Sequence, residues 1–170
     1  MKMKTGAEER RRFTIPKEDW GPGPWQDEPD HVNFTTNAGL PGLCHRNSTG
    51  VWCGYVAVPP GHPAHGMGYD EIDGDISVHG GLTYADRCQG DICHVPAPGE
   101  PDDVWWFGFD CAHCWDVSPG TDALMKKLGS EEPNVRRLDD RTMYRDLAYV
   151  RAECESLAAQ LAAITARPER

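Results

Sequence analysis

Apolar residues recur with two different periods along this chain, and the change of period divides it. Towards the C-terminus Met143, Leu147, Val150, Cys154, Leu157, Leu161 and Ile164 follow one another at alternating steps of four and three residues. That spacing keeps them on one face of an α-helix, so it predicts an amphipathic helix over 143–164, about 36 Å long if it runs about 24 residues. Asp139 or Asp140 is the expected cap and Pro168 the expected stop. A shorter helix is expected over 122–128, between Gly120 and Gly129. Upstream the apolar runs are short and bounded by Pro and Gly. Strands are expected over 51–58, over 76–79 with a continuation through 82–85, and over 104–109. In the last, alternation puts Trp105, Phe107 and Phe109 on one face and Val104, Trp106 and Gly108 on the other. Trp106 or the lone Gly108 then marks the face that a ligand or the terminal helix approaches.

These elements describe an α+β fold: a small, mostly antiparallel sheet packed against a long C-terminal amphipathic helix. Residues 1–30 mix both charges around a PGPW segment and read as an N-terminal arm that docks through Trp20 and Trp25; residues 31–170 form a single α+β domain. A chain of 170 residues with 39% apolar content supports one core, while 18 Gly and 14 Pro require long irregular connections. The terminal stripe also has heptad spacing. It suits packing on the chain's own sheet better than a coiled-coil seam, which needs more heptads, so the expected states are a monomer or a homodimer through that helix.

Charge narrows the partners. The formal net charge is −10, and residues 61–116 hold eleven Asp and Glu against Arg87 as their one basic residue. Such a surface repels phosphate backbones, so direct nucleic-acid binding is disfavoured, and a small molecule or a basic host protein fits better. No run of 18 apolar residues exists, and the chain starts on charged residues. Neither a membrane span nor a secretory leader is expected, and the expected location is the cytoplasm. In that reducing compartment the seven cysteines read as thiols or metal ligands before disulfides.

Candidate chemistry concentrates in the acidic stretch. Cys88, Cys93, His94, Cys111, His113 and Cys114 fall within 27 residues, as a Cys88-x4-Cys93 pair and a Cys111-x2-Cys114 pair. A strand return that joins the pairs would present a zinc site from Cys88, Cys93, Cys111 and Cys114, with His94 and His113 as alternative nitrogen ligands. Buried structural thiols are the competing account, and a redox CxxC is weakened because Asp116, Ser118 and Pro119 break the helix that would otherwise follow it. A second constellation, His79-Gly80-Gly81, offers an imidazole beside backbone able to adopt positive φ. It reads equally as a ligand-binding corner or as a tight turn with a hydrogen-bonded histidine. If the 76–79 and 104–109 strands are neighbours, His79, Asp110 and His113 form a catalytic set in which Asp110 fixes a histidine tautomer. A metal-bound or histidine-activated water would then attack an ester, phosphate or glycosidic bond, with the Gly80 and Gly81 amides stabilising charge. Tyr84 and Trp106 are candidate stacking surfaces for a planar ligand. Asp70, Asp73 and Asp75 lack the spacing of a calcium loop and read as acidic turn residues.

The segments GYVAVPPGHPAHG, VHGGLTYA, ICHVPAPGEPDDVWWFGFDCAH and YRDLAYVRAECESLAAQL resemble a group of small uncharacterised proteins encoded by bacteriophages and by prophage-carrying bacteria. The resemblance spans roughly residues 43–161. It implies a cytoplasmic protein of the phage-infected host cell, in which His79, Cys88, Cys93, Cys111 and His113 match the recurring pattern and Cys114 is less regular. A mixed Cys and His site is therefore favoured over an all-cysteine one, with no chemistry attached. Two functions remain in view: a Cys/His site, with zinc as the candidate ion, that binds or hydrolyses a small nucleotide-like ligand, or an acidic non-enzymatic inhibitor that covers a basic surface of a host protein.

Overall fold

The computed structural model describes residues 14–130 and 143–165. Five strands, β1 (His31–Thr35), β2 (Pro41–Arg46), β3 (Trp52–Val58), β4 (Tyr84–Arg87) and β5 (Trp105–Asp110), form one sheet of order β1-β2-β3-β5-β4 in which every neighbouring pair is antiparallel. Among the described residues three α-helices accompany it: α1 (Tyr69–Ile72), α2 (Pro119–Lys127) and α3 (Leu147–Ala162). The fold is thus α+β, with the C-terminal helix packed on the sheet.

β3 lies in the middle and is buried along its whole length, because both faces of the sheet are covered. On one face Trp52, Val56, Val58, Phe107 and Phe109 meet Val150, Cys154, Leu157 and Leu161 of α3. On the other, Leu43, Cys53, Tyr55, Ala57 and Trp106 pack with Val104 and with Cys88 and Ile92 of the connection from β4 to β5. Alternation within β5 follows the expected faces, but α3 approaches the Trp105–Phe107–Phe109 side and not the Trp106 side. Gly54 makes that approach possible. A Cβ there would stand 2.4 Å from Phe109 Cζ and 2.7 Å from Cys154 Sγ, so the helix seats on the sheet where a side chain is missing. Gly108 plays the same part on the other face, where a Cβ would meet the Tyr55 ring at 2.3 Å; it marks close packing and not a ligand.

The helical stripe is real, but its start differs from expectation. α3 begins at Leu147, and the Asp146 carboxylate accepts from the Tyr149 amide at 2.8 Å as its N-cap. Met143 is exposed and outside the helix; its backbone pairs with the 115–117 segment instead (Met143 N to Trp115 O, Val117 N to Met143 O, both 3.0 Å). Asp139, Asp140 and Pro168, the expected cap and stop, lie outside the described residues. α2 starts at Pro119, where a residue without an N–H costs nothing in the first turn.

Residues 76–79 are not a strand, and the reason lies in α3. Gln160 accepts from Ser77 N at 2.7 Å and donates to Ser77 O at 2.9 Å, while Glu153 accepts from His79 N at 2.8 Å. Helix side chains therefore take the backbone groups a sheet would use. β1 and β2 were absent from the expected strands; HVNFT and PGLCHR are short and broken by Gly, Pro and His. In the described part of the first thirty residues, Trp20 donates to Ile15 O at 2.7 Å, Trp25 stands edge-on to Tyr144 with centroids 5.2 Å apart, and Arg46 lies over the Trp20 ring at 6.0 Å and the Trp52 ring at 4.3 Å.

Replacing Gly54 with Val should destabilise the protein by about 1–3 kcal/mol through overpacking against Phe109 and Cys154. Urea unfolding of wild type and Gly54→Val, read by the denaturation midpoint at unchanged slope, checks this.

Candidate functional site

Past the end of β5 the chain makes two small turns that set the site. Asp110 accepts from Ala112 N at 3.1 Å and from the Thr83 hydroxyl at 3.0 Å, which bends the backbone at Cys111. His113 to Asp116 closes a further turn, with Asp116 N donating to His113 O at 2.9 Å. The carboxylate of Asp116 points inward and its side chain is fully buried. Its Oδ2 accepts from His79 Nε2 at 2.7 Å, from His113 Nδ1 at 3.2 Å and from His113 N at 3.1 Å. Its Oδ1 accepts from Arg145 Nε at 3.0 Å. An ionised acceptor on one side fixes both imidazoles: His79 donates from Nε2 and takes the Tyr149 hydroxyl proton on Nδ1 at 2.9 Å, while His113 donates from Nδ1 and keeps its lone pair on Nε2. The two rings meet edge to face at 5.1 Å, and Trp115 stacks on His113 at 5.2 Å with planes 9° apart.

The tandem glycines serve this geometry. Gly80 and Gly81 have φ of +68° and +87°, and Gly81 N closes a turn onto Val78 O at 3.0 Å. A Cβ on Gly80 would fall 2.0 Å from His113 Nε2, so the turn and the imidazole share that space. At His-Gly-Gly the structure displays a tight turn with a hydrogen-bonded histidine.

Burial alone would raise the Asp116 carboxyl, but the hydrogen bonds from His79, Arg145 and the His113 amide outweigh it and hold the group below its ordinary value. His79, His113 and Asp116 bring one ligand atom each within 4.8 Å of one another, and they could hold a metal ion. Among the described residues this is the one group of that kind.

The cysteine set does not assemble. Cys88 and Cys93 are joined to each other as a disulfide, against the expectation of thiols or zinc ligands. Topology keeps them from the other pair: Arg87 lies opposite Trp105, so β4 ends beside the start of β5, while Cys111 follows its far end. Six residues of strand, about 17 Å, intervene. Cys111 is buried, and burial, then the Asp116 charge, push its thiol well above the usual range; Cys114 is exposed. Of the expected metal ligands only His113 belongs to the gathered group. Of the expected set His79, Asp110 and His113, the structure brings the two histidines together on Asp116 and not on Asp110, whose oxygens accept from Thr83 and Ala112. Tyr84 and Trp106 lie on the sheet face away from α3, edge-on to Tyr55 at 5.3 Å and to His94 at 5.6 Å, and neither borders the His79 group. A cleft of about 590 Å³ next to the β1–β2 hairpin is lined by Phe34, Leu40, Gly42, His94 and Val95, not by His79 or His113.

Asp116, Arg145 and Tyr149 were missed. The His113-x-x-Asp116 spacing and the Arg145 to Tyr149 step of one helical turn were the available signals, but each is common by itself. No protein-family model, curated protein or solved structure matches this chain. None of the described helices is long and apolar enough to cross a membrane.

Removing the Asp116 carboxylate leaves Arg145 without its partner, and Asp116→Ala should lose about 3–5 kcal/mol in urea unfolding. A depressed carboxyl stabilises the fold above its unfolded value, near 3.8, and that contribution disappears as pH falls through the lower native value. The urea midpoint of wild type should therefore fall below pH 3.8, and that of Asp116→Asn more shallowly, with Glu28 and Asp30 supplying the remainder. Thiol titration of denatured protein should count five groups before reduction and seven after it.

Proposed function

We propose that this is a zinc-binding protein in which His79, His113 and Asp116 hold the ion and whose centre binds and hydrolyses a small ligand. The observation that carries the reading is the convergence of two imidazoles on one buried carboxylate oxygen, at 2.7 and 3.2 Å. Two histidines and a carboxylate are a donor set that suits Zn²⁺. Ligand atoms about 2.1 Å from a shared ion stand about 3.0–3.4 Å apart, so His113 already has that spacing and His79 has to withdraw by a few tenths of an ångström.

Three protein ligands leave a coordination position for water, and zinc supplies the lowered water pKa that makes a nucleophile near neutrality. The chain's own residues do the rest. With an ion bound, His79 Nε2 and His113 Nδ1 would give up the protons they share with Asp116, His79 would donate from Nδ1 to the Tyr149 hydroxyl, and Glu153 would hold the His79 amide. Arg145, stacked over Tyr149 at 4.8 Å, is the cation available to developing negative charge. Trp115, 44% exposed and stacked nearly parallel to His113, offers a wall to a ring-bearing ligand such as a nucleobase. The resemblance to phage-encoded proteins supports action in the cytoplasm of a bacterial host. The second reading, an acidic inhibitor of a basic host protein, draws on exposed Glu100, Asp102 and Asp103 in the connection before β5.

Elemental analysis of untagged protein, dialysed without added metal, should find one zinc per chain, and His79→Ala and His113→Ala should each lose it while retaining the wild-type circular dichroism. Metal-free wild type would refute the zinc centre. Turnover of a nucleotide panel should drop at least a hundredfold in His113→Ala; equal turnover would remove the hydrolytic role, and activity lost only on neutralising Glu100, Asp102 and Asp103 would support the inhibitor.

A further inference from the structure

The sheet carries a second histidine pair on the face away from α3, built from residues the site above does not use. His31 of β1 and His45 of β2 are register partners, directly opposite each other across the antiparallel ladder. Their Nδ1 atoms stand 3.1 Å apart, with ring centroids at 5.3 Å and planes at 74°. The outer nitrogen of each ring has its own neighbour. Asn33, two residues along the same face of β1, places its carboxamide 3.0 Å from His31 Nε2. Asp91, inside the loop closed by Cys88 and Cys93, places Oδ2 3.9 Å from His45 Nε2. His31 is exposed and the His45 side chain 25% exposed, so the pair is reached from solvent.

We propose that His31 and His45 form a second cation site, binding one divalent transition-metal ion of the imidazole-preferring class through their two Nδ1 atoms, with Asn33 on the outer nitrogen of His31 and the Asp91 charge near that of His45. Two imidazole nitrogens on adjacent positions of one ion at about 2.1 Å are separated by about 3.0–3.4 Å, and the observed spacing falls in that window. Without an ion, two nitrogens at this distance require a proton between them; a cation that takes both lone pairs replaces that proton. The outer nitrogens then have to be the protonated ones, which calls for acceptors. The Asn33 amide supplies its oxygen to His31 by a half-turn about its last bond, the arrangement that orients metal-bound histidines generally, while Asp91, at 3.9 Å, acts on His45 through its charge. Asp30 and Asp91 also place two negative charges around His45. The site is independent of the His79 centre, because His45 alternates with Cys44 and Arg46, whose side chains turn to the α3 face. An ion here would tie the edge strand β1 to β2. Water completes the coordination, and affinity should rise from Zn²⁺ to Cu²⁺.

The test is a titration of untagged full-length protein with ZnCl₂ and CuCl₂, followed by calorimetry and native mass. Wild type should take up one cation more than the double variant His31→Gln, His45→Gln, a pair of substitutions near the surface whose fold is checked by circular dichroism. Asn33→Ala and Asp91→Asn should each weaken that step about tenfold. In wild type, substoichiometric Zn²⁺ added after the tight site is filled should move the ring nitrogen resonances of His31 and His45 before those of His62, His65 and His94. Equal stoichiometry and affinity in wild type and double variant, or unmoved His31 and His45 resonances, overturns the proposal. That result leaves the His79 centre standing, and loss of binding confined to His79→Ala and His113→Ala would locate all the metal there.

Discussion

The buried carboxylate of Asp116 is the interaction on which this architecture turns. A carboxylate removed from water is costly unless donors surround it, and here three segments far apart in sequence supply them: His79 from the turn before β4, His113 from the turn after β5, and Arg145 from the approach to α3. None of the three segments is regular secondary structure. Their mutual position is set by this shared anion, and with it the spacing of the two imidazoles.

Glu28 solves the same problem at the other side of the α3 N-terminus. Its oxygens accept from Leu147 N at 2.8 Å, from Arg46 at 2.6 Å, from Trp52 at 3.2 Å and from the Tyr144 hydroxyl. Burial would raise the Glu28 carboxyl, and these donors reverse it. Two anions, Asp116 and Glu28, thus grip Arg145 and Leu147, the residues on either side of the Asp146 cap. The helix is held by polar contacts at its start and by Val150, Cys154, Leu157 and Leu161 along its length, and Gly54 gives it the room to descend onto β3. The N-terminal arm belongs to this device through Glu28, which explains why its tryptophans pack around Arg46 and Tyr144.

The two sheet faces carry different chemistry for a topological reason. Antiparallel pairing sends the chain out of β4 at the end of β5 opposite to Cys111, so the Cys88–Cys93 loop folds over the face that α3 leaves open. His79, before β4, and His113, after β5, gather on Asp116, and the disulfide loop brings Asp91 towards His45 instead.

The amino-acid pattern by itself determined the α+β class, the helical stripe from Leu147 to Leu161, the central strand and the two faces of the tryptophan-rich strand, because burial imposes periods of 3.6 and 2 that can be read residue by residue. It also marked His79, Gly80 and His113 as belonging together. It did not determine which carboxylate joins them: Asp110 and Asp116 are equally near His113 in sequence terms, and only the turn at Cys111, held by Thr83 and the Ala112 amide, sends one outward and the other into the core. The separation of the cysteine pairs and the pairing of His31 with His45 were likewise decided by strand order and register. Those are properties of how strands align with one another, and no local period encodes them.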